Sequence, residues 1–124
     1  GLLIDVPLVA RAPRGRLAQA EAAIARLDAL ARFAADRAAA DVRDAASAVA
    51  AATARLAAAE REVAAARGLK SAERERLSLG EGTLFIVNLR EQAAFEASLR
   101  AIEARADLQK AHVADAIAAG RLPE

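Results

Sequence analysis

A chain that does chemistry must bring a nucleophile, an acid or base, or a set of metal ligands together, and the candidates here are few. His112 is the only histidine and cysteine is absent, so a zinc site would have to be built from carboxylates with no ligand cluster to start from. Ser47, Ser71, Ser78 and Ser98 have no base near them in sequence. Glu60 with Glu62, and Glu73 with Glu75, are carboxylates two residues apart, and on a helix such residues point in different directions. Gly80-Glu81-Gly82 follows a helical pattern and has no Lys-Ser or Lys-Thr behind it, which separates it from a phosphate loop. These side chains, His112 included, read as a solvated helix surface. The expectation is a protein that is not an enzyme and carries neither cofactor nor metal.

The elements that hold these residues follow from composition and spacing. The chain has 124 residues, 56% of them hydrophobic, but about a third of the chain is alanine, with three Phe and no Trp, Tyr or Met. Alanine buries little surface, at ~0.8 kcal/mol per buried methylene, so a compact globule would have a thin core. Long helices are what such a composition builds. Eighteen basic and seventeen acidic residues are interspersed for a net charge of +1, and without a basic block or aromatic platforms a nucleic-acid partner is not expected. Charges interrupt each apolar run before the ~20 residues of a spanning helix. The absence of cysteine excludes a disulfide framework. No signal-peptide pattern is present and the first residue is Gly1, which suggests a processed or excised segment.

Residues 1–9 differ from the rest. Leu2 to Val9 is rich in leucine and β-branched residues, and Pro7 is compatible with an edge strand but not with a helix interior. Pro13 and Gly15 then predict a turn. From Arg16 to Leu77 there is no proline and Gly68 is the only glycine, which predicts a helix over 16–79, roughly 90 Å at 1.5 Å per residue. Val42, Val49, Leu56 and Val63 recur every seven residues, and Ala45, Ala52, Ala59 and Ala66 recur three places further on. The alanine line runs back through Ala38 and Ala31 to Ile24 and Leu17, long enough for a coiled coil. Such a helix-packing seam lets a neighbour approach to the short end of the usual separation of roughly 8–10 Å. Lys70 and Glu73 predict a break in the repeat.

Two glycines in three residues at Gly80 and Gly82 predict a hairpin tip over 80–83, with Thr83 as the cap of a return helix over 84–119. In the return helix Phe95 and Ile102 fall on one line, and Leu99, Ala106 and Val113 on the other. Gly120 and Pro123 end it. The expected fold is therefore all-α, a long antiparallel α-helical hairpin preceded by one short β-strand. The return arm is the shorter, so Leu17, Ile24, Leu27, Leu30 and Phe33 need cover from elsewhere.

The order of these elements resembles the TolC-like outer-membrane efflux protein family. The likeness rests on Val6-Pro7-Leu8 leading to Gln19-Ala20-Glu21-Ala22, then on Glu73-Arg74 through Leu79-Gly80-Glu81-Gly82-Thr83-Leu84. Arg90-Glu91-Gln92, Glu96-Ala97 and Ala119-Gly120-Arg121-Leu122 complete it. The resemblance implies a trimer whose strands form a shared outer-membrane β-barrel and whose helices form a periplasmic α-barrel, the passive conduit of a tripartite exporter. Residues 1–9 would enter the barrel, 16–79 would run to the periplasmic tip, and 84–119 would return. Leu79, Gly80, Glu81, Gly82 and Thr83 would meet the periplasmic adaptor, which joins the channel to an inner-membrane pump. Places that are acidic in many relatives fall here on Ile86 and Leu89. The chain would be about one quarter of a typical member. The α-hairpin of a periplasmic adaptor is the alternative, and its arms would be similar in length. A helix lying on a lipid surface fits poorly, because the arginines and glutamates are scattered around the helix.

Overall fold

The computed structural model describes residues 1–2 and 11–121, with the backbone alone at Arg11 and Ala12. Two helices account for nearly all of them: α1, Arg11–Ser78, and α2, Leu84–Ala118. The all-helical class is as expected, and there is no strand among the described residues. Most of the strand expected over 1–9 lies outside them, while Gly1 and Leu2 belong to no regular element.

The turn expected at Pro13 and Gly15 is instead part of α1. Pro13 is its third residue, where a backbone N–H has no intrahelical acceptor, so the missing donor costs no hydrogen bond. Gly15 follows in the next turn without breaking the helix. The far end of α1 is Ser78 rather than residue 79, and α2 stops at Ala118 rather than 119.

The chain divides into two units, Gly1–Ala40 and Asp41–Glu124. In the first, every described side chain is exposed, the large apolar ones included, with Phe33 at 65%. Among the described residues, those that are buried all lie in the second: Ala52, Val87, Ala94 and Ala97. Here the α1 stretch from Asp41 packs antiparallel against α2. Among the described residues no large side chain is fully buried.

The tip between the helices is set by two glycines for two different reasons. Gly80 has φ +79°, a left-handed conformation that a β-carbon disfavours. Its N–H donates to the Leu77 carbonyl (3.0 Å) and the Glu81 N–H donates to the Arg76 carbonyl (2.9 Å). That pair of bonds is the Schellman closure of a helix end. Gly82 is needed for proximity, since a β-carbon there would lie 3.0 Å from the Leu77 backbone nitrogen. Thr83 is extended (φ −121°, ψ 148°) and caps α2 by accepting the Ile86 N–H on its hydroxyl oxygen (3.4 Å). Gly120, φ +71°, closes α2 in the same way, with the Arg121 N–H donating to the Ala116 carbonyl (2.7 Å).

Gly68 is a different case, because it sits inside α1 with nothing within 4 Å of an added β-carbon. These contrasts predict opposite signs for one substitution. Gly80→Ala should destabilise the hairpin by about 1–2 kcal/mol, whereas Gly68→Ala should stabilise it by about 0.5–1 kcal/mol. Urea unfolding followed by circular dichroism reads both, and equal effects would refute this account of the two glycines.

Candidate functional site

Going up α1 from Ala45, the positions turned toward α2 recur at alternating steps of four and three residues. They are Ala45, Val49, Ala52, Leu56, Ala59, Val63 and Ala66, all half-buried except Ala52, which is 0% exposed. These are the seam residues named from the heptad, with one exception. Val42 is 37% exposed and stands outside the covered stretch.

The same steps continue without interruption through Lys70, Glu73 and Leu77, each half-buried. The break expected at Lys70 and Glu73 is therefore a change of chemistry and not of register. Long charged side chains can hold inward positions because their stems pack while their ends reach the flank. Glu73 does so by accepting from Arg76 (3.3 Å). Arg90 holds the matching position on α2, with its Nε shielded and lacking a hydrogen-bond partner.

The inward face of α2 differs from the expected one. It consists of Val87, Arg90, Ala94, Ala97, Ala101, Ala104, Leu108 and Ala111, buried or half-buried at three- and four-residue steps. Phe95, Leu99, Ile102, Ala106 and Val113, the lines drawn from the sequence, are all exposed, Ile102 by 65%. α2 is thus apolar on two opposite faces. The packing uses the one made mostly of alanines, which meets the alternating Ala and Val or Leu of the α1 seam and makes dispersion contacts along it.

Among the described residues three ion pairs bridge the helices and align them. Arg100 donates to both carboxylate oxygens of Glu62 (2.6 and 3.3 Å), Arg105 to Glu60 (3.0 Å), and the Arg74 Nε to Glu91 (2.9 Å). All are solvent-exposed, so their effect on stability is small and their main role is alignment. The hydrogen bond from Arg100 holds the Glu62 carboxyl below the usual carboxylate range, and the same bond raises the Arg100 guanidinium. A depressed carboxylate contributes stability above its unfolded pKa and loses it as pH falls through the folded value.

The residues with chemical potential do not converge. His112 is exposed and no cluster of metal-ligating side chains occurs among the described residues. The Ser98 hydroxyl, beside a groove lined by Glu60, Val63, Arg67 and Arg105, donates to the Ala94 carbonyl (2.8 Å). Ser78 likewise donates to the Glu75 carbonyl (2.6 Å). At the tip, Leu79, Gly80, Glu81 and Thr83 are exposed and Gly82 is half-buried. No described helix is long and apolar enough to cross a membrane.

No family model, curated protein or solved structure matches this chain. Its surfaces must therefore be read on their own terms. Within the described part of the Asp41–Glu124 unit they include an alanine-rich seam that is used, an exposed stripe of large apolar residues on α2 and an exposed glycine tip.

Two outcomes follow from the seam. Ala97→Leu, at a position only 1% exposed, should force the helices apart and cost about 1–3 kcal/mol in urea unfolding. An unchanged midpoint would show that the seam is not close-packed. Glu62→Gln should lower the melting temperature near neutral pH, and that difference should vanish well below the carboxylate range, where Glu62 is protonated in both states. A difference that persists in acid would mean that its origin is not the ion pair.

Proposed function

We propose that this chain is a wall element of a helical conduit, acting by packing and not by catalysis. The observation that carries the reading is the double apolarity of α2. A helix with one neighbour needs one apolar stripe. A second stripe on the opposite face suits a helix with neighbours on both sides, like a stave.

The resemblance to TolC-like outer-membrane efflux proteins makes that conduit the periplasmic α-barrel of a trimeric efflux or secretion channel, a passive part of a tripartite exporter. In this reading residues 1–9 supply a strand to a shared outer-membrane barrel. The exposed Leu79, Glu81 and Thr83, presented on a tip that two glycines hold in shape, face the periplasmic adaptor. The unequal lengths of α1 and α2, 68 and 35 residues, favour the channel over the adaptor hairpin, whose arms would be similar.

The test places a cysteine at Glu81→Cys in cells that make the protein, with a thiol cross-linker added to intact cells. The expected result is recovery in the outer-membrane fraction and a cross-link to the periplasmic adaptor. A cross-link to an outer-membrane channel would instead make this chain the adaptor. Recovery in the cytosol would overturn both.

A further inference from the structure

Along one flank of the Asp41–Glu124 unit, where α1 meets α2, runs a groove of about 400 Å³. That is toward the low end of the roughly 300–1,000 Å³ of small-ligand sites. Two helical repeats frame it. Glu60 and Arg67 stand seven residues apart on α1, and Ser98 and Arg105 seven apart on α2. Each pair therefore shares a face of its helix, separated by roughly 10 Å. Between the corners the lining is apolar, with Val63 and Ala101 half-buried and Ile102 exposed.

The two ends differ in charge. At the end away from the tip, Arg105 donates to Glu60 (3.0 Å), so that corner is neutralised. At the end nearer the tip, Arg67 stands with Ser98, whose hydroxyl proton is committed to the Ala94 carbonyl (2.8 Å). Arg67 forms no ion pair among the described residues. Its own helix offers none either, because the places three and four residues away hold Val63, Ala64, Lys70 and Ser71. An uncompensated guanidinium thus sits at one end of an apolar trough.

We propose that this groove binds a free medium-chain carboxylate, with the head group on Arg67 and the chain running over Val63, Ala101 and Ile102 toward the Glu60–Arg105 pair. Charge complementarity selects an anion, and a guanidinium presents paired donors that match both oxygens of a carboxylate. One unpaired cation selects one head group. A length of roughly 10 Å takes an unbranched chain of about eight carbons. An alcohol of the same length would fill the trough and leave Arg67 uncompensated. The site lies on the flank, away from the tip, and does not depend on the hairpin being part of a conduit.

Octanoate titrated at neutral pH into the isotope-labelled full chain, followed by amide NMR, tests the assignment, with octan-1-ol as the uncharged comparison. Saturable shifts are expected at Ala64, Ser98 and Ala101, with octanoate binding at least fivefold more tightly than octan-1-ol. Arg67→Gln should bring the two to the same affinity, and Arg67→Lys should keep most of the preference. Glu60→Gln frees the Arg105 guanidinium and should tighten octanoate at least twofold, a gain that misfolding cannot produce.

Equal affinity for octanoate and octan-1-ol in the unaltered chain would overturn the proposal, as would an Arg67→Gln chain that keeps the preference. Shifts centred on Phe95 and Leu99 would show that the exposed stripe, and not the groove, takes the chain. No saturable shift below the concentration at which octanoate forms micelles would also overturn it, as would the same shifts appearing only with vesicles of phosphatidylglycerol, which would make the partner a membrane surface. None of these results bears on the cross-link of Glu81→Cys at the tip, so the groove and the conduit stand or fall separately.

Discussion

The closeness of two backbones is the constraint on which the hairpin depends. Among the described residues the buried ones are alanines and one valine, and none is large. Stability from such a core comes from many shallow contacts spread along two helices, since each methyl group removes little surface from water. Every other feature of the unit serves that approach. The seven-residue repeat keeps small residues facing each other, the tip glycines reverse the chain without prying the ends apart, and the exposed ion pairs align the helices without occupying the seam.

The seam also explains how residues are sorted on α2. A helix with alanines on one face and Phe, Leu and Ile on the other would ordinarily bury the larger set. Here the larger set of α2 stays outside, and the seam takes large apolar residues only as the half-buried Leu56, Leu77 and Leu108 among its alanines and valines. The large residues are thereby left for a surface that can receive them.

The sequence made one helix more legible than the other. On α1 the alternation of Val or Leu with Ala at heptad spacing has no competing pattern, and Ala45 to Ala66 lie where the repeat places them. On α2 two patterns compete, and reading by side-chain size selects Phe95, Leu99 and Ile102 over Ala94, Ala97 and Ala101. The charges at Lys70 and Glu73 imitate an interruption, because polarity alone does not tell an inward stem from an outward one. Pro13 and Gly15 imitate a turn, although proline is at home in the first turn of a helix. Gly80, Gly82 and Thr83 were legible because each performs a backbone task that few other residues perform.

The tip has a consequence for how the hairpin comes together. Only five residues, Leu79 to Thr83, separate α1 from α2, so the first contacts, near Leu77 and Val87, close a short loop at little entropic cost. Each further seam pair, out to Ala45 and Ala118, needs only the turn before it. Such a chain forms as a zipper from the glycines outward, and short-range order of this kind belongs to the fast end of folding rates. It opens in the reverse order. Its opening therefore starts at the ends farthest from the tip.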